Sequence, residues 1–214
     1  MMTSNADKIM EALAGLDICY GTVSKIIPQM LAAGTLTLDL ASFVPENSAT
    51  PNGFGRYLVF DNNDLSNPVS IWAFAFAPGQ KTCIHDHLYS CTVTVLTGII
   101  SEKFYQLEPD EINAKPMRGV HRAQFDTTED TLGDDNIVHQ LKNRQVEKSY
   151  PSPLTEAEHG LTVTLHIYEM PAFKVAAPES QINKNVYRMF HKKSREEAGH
   201  LQYTVSSGVI QQAP

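Results

Sequence analysis

Two histidines one residue apart, His85 and His87 in the stretch Gly79-Gln-Lys-Thr-Cys-Ile-His85-Asp-His87, are the side chains whose type and spacing point most directly to chemistry. Side chains on a strand alternate between its faces, so both imidazoles point the same way and could grip one divalent metal ion. Asp86 between them would face the other way, as a surface group or a support behind the ligands rather than a ligand itself. A His-x-His taken alone also reads as a pair of surface or core histidines. Cys83 lies one strand period before His85 and could line the same interior.

The elements that must position this pair follow from texture. The first ~45 residues have the spacing of helices. Ser4, Asn5 or Asp7 could cap a helix carrying Ile9, Leu13 and Leu16, and Val23, Ile26, Ile27, Met30 and Leu31 repeat the pattern, with Pro28 expected to end or kink that second helix. Residues 45–55 read as loop. Strands are expected at Val69–Ala77, closed by Pro78-Gly79, then at Thr92–Leu96, Ile99–Tyr105, Ile137–Leu141 and Leu161–Tyr168. Trp72, Phe74 and Phe76 read as core. Residues 107–116 and 143–160 are polar, Pro-containing stretches that read as connections. Many short strands parted by turn residues predict an antiparallel barrel or sandwich, in one domain with a helical N-terminal elaboration.

Composition narrows the partners. The chain has 214 residues, 42% hydrophobic and 19% charged, which suits a globular domain rather than disorder. A net charge of −7 disfavours nucleic acid, whose phosphates need a basic surface. The basic cluster of Lys192, Lys193 and Arg195 sits among Glu196 and Glu197 and reads as a solvated face. No apolar run is long enough to cross a bilayer, and the N-terminus lacks the basic-then-apolar order of a secretory signal, so no membrane partner and a cytoplasmic location are expected. Three cysteines, Cys19, Cys83 and Cys91, are too few and too odd in number for a disulfide framework, which fits a reducing compartment.

The stretch from Gly79 to Gly98 resembles the first sequence motif of the cupin superfamily, G-x5-H-x-H-x3-E-x6-G; every anchor fits except the acid, replaced here by Cys91. A second cupin motif ends in H-x3-N, matched by His139 and Asn143 with only Gly133 suggestive upstream, which makes His139 the third candidate ligand. The implied fold is mainly β: a cupin, or small β-barrel, with an N-terminal helical extension at 1–45, a metal-binding barrel at 54–172 and a C-terminal extension at 173–214. Common non-haem oxygenases hold iron with two histidines and one carboxylate. A neutral histidine in place of that acid leaves Fe(II) its full charge and favours an anionic ligand such as a thiolate. Three protein ligands also leave positions for substrate sulfur, substrate amine and dioxygen, held side by side.

IHDHLYSCTVTVLTG and LTVTLHIYEMPAF are similar to segments of the cysteine dioxygenase type I family of thiol dioxygenases, a likeness running from about residue 54 to about 172. The resemblance implies ferrous iron on His85, His87 and His139. It also implies that Tyr168 orients substrate and oxygen, that His166 holds the tyrosine, and that Thr164 stands behind it where the family has serine. Cys91 corresponds to a cysteine that in some members forms a thioether with that tyrosine, although it also reads as a small core residue. Arg56, in FGRYLV, corresponds to an arginine that pairs with the substrate carboxylate, or else is a surface arginine on an edge strand. Phe54 stands where mammalian members have a tyrosine and offers no hydroxyl. The implied reaction oxidises L-cysteine with O2 to its sulfinate. The alternatives are another small thiol, such as 3-mercaptopropionate or cysteamine, a carbon-directed metalloenzyme, or a non-catalytic cupin that binds a metal or small ligand. His121, His159, His191 and His200 stand in polar or terminal contexts and read as solvated.

Overall fold

The computed structural model describes residues 3–47, 49–50, 52–87, 89–107, 113–130, 137–143, 160–175, 186–192 and 203–205, the last two segments by their backbone alone. Helix α1 spans Asn5–Leu13. Of the three candidate caps, Ser4 takes the role: its hydroxyl accepts from the Asp7 N–H at 3.1 Å, and the Asp7 carboxylate accepts from the Ser4 N–H at 3.2 Å. The helix stops at Leu13, so Leu16 falls beyond it and is exposed, contrary to its expected place on the apolar face.

Helix α2 spans Tyr20–Ala32 and does not end at Pro28, which lies inside it. Pro28 forfeits one backbone hydrogen bond, but Val23, Ile27 and Leu31 are buried on the same side. Packing of that face, rather than propensity, holds the turn after the proline. The Tyr20 and Thr92 hydroxyls, 2.9 Å apart in the core, tie α2 to the sheet beneath.

That sheet has five strands, numbered in chain order, side by side as β1 (Gly55–Asp61), β2 (Ser70–Phe76), β9 (Thr162–Tyr168), β4 (Cys91–Thr97) and β7 (Thr127–Asp130), all antiparallel. Strands β2 and β9 are buried along their whole length. Both faces are covered, and alternation sorts the side chains between them. Ile71, Ala73, Ala75, Val163, Leu165 and Ile167 pack under the helices. Trp72, Phe74, Phe76 and Tyr168 pack on the opposite face with Cys91, Val93 and Val95 of β4.

The opposite face looks toward a closed antiparallel barrel: β10 (Val186–Lys192), β11 (Tyr203–Val205), β6 (Asn113–Arg122), β5 (Ile100–Leu107), β8 (Ile137–Asn143) and β3 (Ile84–His87), with β3 closing on β10. The architecture is thus mainly β, with the N-terminal helical extension expected from the sequence. Strands β10 and β11 come from the segment read as a C-terminal extension, and β10 pairs directly with the strand that carries His85 and His87.

Of the segment 107–116, read as a connection, the two ends are strand instead, since β5 runs to Leu107 and β6 begins at Asn113, while residues 108–112 lie outside the described residues. Lys115, Pro116, Met117 and Arg118 all face solvent, so β6 lacks the apolar alternation that advertises a strand. Pro116 pairs opposite Tyr105 where the register of β5 and β6 shifts, a place that tolerates a missing donor. Of the stretch 143–160, residues 144–159 lie outside the described residues, as does Gly133.

Both glycines of the first motif answer to backbone geometry. Gly79 has φ +85° in the turn after β2, and Gly98 has φ +78° between β4 and β5. A Cβ on Gly98 would sit 2.5 Å from the Thr162 hydroxyl and 2.9 Å from the Leu161 carbonyl. Gly98→Ala is therefore expected to destabilise the protein by ~2 kcal/mol or more, seen as a lower urea midpoint at unchanged m-value. Asn143, the last residue of the second motif, donates to the Phe76 and Gly160 carbonyls at 2.7 and 3.0 Å. It clamps the end of β2 against the approach to β9, and so holds the turn from which β3 departs.

Candidate metal centre

Strands β3 and β8 pair with His85 directly opposite His139. His87, two residues on, shares the face of His85. The three rings form a near-equilateral triangle, with centroids 4.7, 4.7 and 4.9 Å apart. One nitrogen from each lies within 4.8 Å of the others, so the group could hold a single metal ion. His87 Nε2 and His139 Nε2 are 2.8 Å apart.

Hydrogen bonds on the far side of two rings decide which nitrogen is offered. His85 Nδ1 faces the Cys83 carbonyl at 2.9 Å, so it carries the proton and Nε2 keeps its lone pair. His139 Nδ1 donates to Glu102 Oε1 at 2.8 Å, which likewise turns a lone pair on Nε2 toward the centre. Burial, and then the proximity of His139, push the His85 pKa down to about 3, so the ring is neutral and fit to ligate. The donor set matches a first-row transition ion better than Mg²⁺ or Ca²⁺, which prefer oxygen.

No carboxylate joins this group among the described residues. Glu102 is spoken for: Oε1 takes His139, and Oε2 takes Arg122 Nε at 2.8 Å. Burial raises the Glu102 pKa, but the hydrogen bonds and charges of His139 and Arg122 outweigh it and hold the carboxyl below its ordinary range. The side chain of Asp86 is outside the described ones.

The histidines open onto a cavity of about 250 Å³, also lined by Phe54, Arg56, Phe74, Cys83, Cys91, Val93, Leu141, His166 and Tyr168. On β9 the Thr164 hydroxyl lies 2.8 Å from His166 Nε2, and His166 Nδ1 lies 3.4 Å from the Tyr168 hydroxyl, long for a hydrogen bond. Thr164 is the one candidate set back from the cavity wall. His166 stacks on Phe74 at 4.1 Å, and burial, followed by His139 and His85, lowers its pKa to about 3. It is therefore a neutral ring with one proton to share between Thr164 and Tyr168.

Cys91 and Tyr168 sit directly opposite each other on β4 and β9, both buried. Arg56 stands exposed at the rim, its guanidinium 5.8 Å from the centre of the Phe54 ring, with no ion pair among the described residues. Phe54 stacks on Phe76 at 4.7 Å and contributes wall, not polarity. Cys83 faces the cavity, and desolvation raises its thiol pKa to about 11. Of the histidines read as solvated, His121 is exposed with Nδ1 2.8 Å from the Ser101 hydroxyl. His159, His200 and the side chain of His191 fall outside the described residues.

Glu102 is the residue that sequence reasoning missed. Its signal was present: Ile100, Glu102 and Phe104 alternate inward while Ser101 and Lys103 face outward, so an acid stands on the buried register of a strand.

No protein-family model and no curated protein matches the chain. Its backbone is similar to a cupin-2 domain protein from Rhodospirillum rubrum, at 13% identity and TM-score 0.39, over 59% of this chain and 66% of that one. It is similar to a protein with a double-stranded β-helix domain from Klebsiella pneumoniae, at 18% identity and TM-score 0.38, over 64% and 90%. It is also similar to an oxalate oxidase solved with the substrate analogue glycolate, at 16% identity and TM-score 0.41, over 63% and 59%. The chain thus spans just under two thirds of the first and less of the third.

Proposed function

We propose that the chain is a thiol dioxygenase that holds ferrous iron on His85, His87 and His139 and converts L-cysteine and O2 to cysteine sulfinate. One observation carries this reading: three histidine nitrogens converge with no carboxylate among the described ligands, beside a cavity sized for an amino acid. A divalent ion held by neutral donors keeps its full charge and favours an anionic substrate group such as a thiolate. Iron so bound would supply acidification of the thiol and activation of dioxygen. Atoms and electrons balance without a reductant: both oxygen atoms end on sulfur, which gives up four electrons, and the thiol proton stays with the product.

The remaining roles belong to the chain. Arg56 at the rim is the cation for a carboxylate, in a two-pronged pair. Phe54, Phe74, Val93 and Leu141 present apolar wall and limit water around the reacting sulfur. Tyr168 offers a hydroxyl to substrate or oxygen, and His166, held from behind by Thr164, is the ring that would orient it once the 3.4 Å gap between them tightens. Facing positions on paired strands also suit a Cys91–Tyr168 thioether, formed with loss of one hydrogen pair to oxygen. A sparse, odd set of three cysteines supports a reducing, cytoplasmic setting.

The test is oxygen uptake by iron-loaded protein with cysteine, 3-mercaptopropionate and cysteamine, with the product identified by mass. Cysteine sulfinate as the dominant product supports the proposal; preference for 3-mercaptopropionate reassigns the substrate. Iron retained with no uptake for any thiol overturns it in favour of a metal-binding cupin without this activity. Arg56→Gln is expected to raise KM for cysteine ~10-fold to 100-fold, the worth of a charged hydrogen bond, and to leave cysteamine, which has no carboxylate, unaffected. Equal losses for both thiols would remove Arg56 from carboxylate recognition.

A further inference from the structure

The face of β5 that looks into the barrel carries a charge the proposed reaction does not use. Glu102 is fully buried, yet both its oxygens are satisfied, one from each neighbouring strand. In register it stands opposite Leu141 of β8 and Val120 of β6. His139 and Arg122 are each two residues from those partners, so both bonds run along the diagonal that long side chains can span. The result is a line of contacts through the barrel wall, from Arg122, 19% exposed, through Glu102 to His139 and its inward-facing Nε2.

We infer that Glu102, with Arg122 behind it, is a positioning residue for the metal centre: it fixes the tautomer and tilt of His139 and strengthens that ring as a donor. Three features carry this. Glu102 Oε1 stands 2.8 Å from His139 Nδ1 and Oε2 already accepts from Arg122, so Nδ1 is the nitrogen that donates and Nε2 keeps the lone pair. The negative charge behind the imidazole makes Nε2 more basic toward a cation. Arg122 neutralises the buried pair and hydrogen-bonds the second oxygen, so the carboxylate cannot swing into the cavity and become a ligand itself. This last point ties the pair to the neutral-donor character on which the proposed function rests.

The inference rests on the metal reading of the three histidines but not on thiol oxidation, and its test reads metal binding alone. Co(II) affinity is measured by competition with a chelator, and the visible d–d bands of the Co(II) protein are recorded, for the wild type and Glu102→Gln. The amide can still accept from Nδ1 but carries no charge. Affinity is expected to fall ~10-fold to 100-fold, with shifted bands. Should Glu102→Gln fail to fold, the double variant Glu102→Gln/Arg122→Gln removes both charges of the pair at once, and the same loss and shift are expected. Unchanged affinity and unchanged bands in a folded variant would reduce Glu102 to a structural ion pair and overturn the inference. Wild-type protein that takes up no Co(II) refutes the metal centre itself, a failure separate from that one.

Discussion

His139→Ala is expected to lose bound metal and thiol-dependent oxygen uptake together, and to be less stable by ~3 kcal/mol or more. The two losses have different causes. As a ligand, His139 supplies one of three nitrogens around a point, and two histidines from one short strand do not enclose an ion by themselves. As a hydrogen-bond donor, it is half of what keeps Glu102 ionised with no exposure to water. Alanine leaves that carboxylate with Arg122 alone and opens a void beside the His85 and His87 rings. The measurement is metal content after gel filtration in parallel with urea denaturation of metal-free protein. The double variant His139→Ala/Glu102→Gln should recover part of the stability and none of the metal. Full metal occupancy in His139→Ala would exclude this histidine as a ligand.

The second large effect is acid sensitivity of the metal-free protein. His85 and His166 are buried neutral rings, each with its pKa pushed down to about 3 by burial first and by neighbouring histidines next. In the unfolded chain both take up protons below about pH 6.5. From there down to about pH 3 the unfolded state binds up to two protons that the native state refuses. Stability therefore falls as pH falls through this window, approaching ~2.7 kcal/mol per pH unit once both rings are protonated in the unfolded chain. Glu102 acts in the same direction lower down, because its depressed pKa means the unfolded carboxyl is protonated first. Urea denaturation at pH 7, 6 and 5 should show the decline, and His166→Gln should remove about half of its slope. Equal stability at pH 7 and 5 would mean these rings are solvated in the native state.

How far the site could be read in advance depended on the range of the interaction involved. The shared face of His85 and His87, and of Thr164, His166 and Tyr168, follows from strand alternation, a local rule that neighbours do not alter. Gly79 and Gly98 were legible for the same reason: a positive φ is a property of one residue. The strands covered on both faces, β2, β4 and β9, announce themselves by apolar and β-branched runs. Strand β6 does not, since most of its side chains meet water, and Pro28 does not end its helix because packing outweighed the local preference.

The amino-acid order by itself thus determined which side chains could act together along a single strand, and where the backbone needed glycine. Only the tertiary structure decided that β3 lies against β8 with His85 facing His139, that Cys91 faces Tyr168, and that Glu102 sits between Arg122 and His139. Register between strands distant in the chain is set by the packing of the whole barrel and by clamps such as Asn143, and no local pattern encodes it.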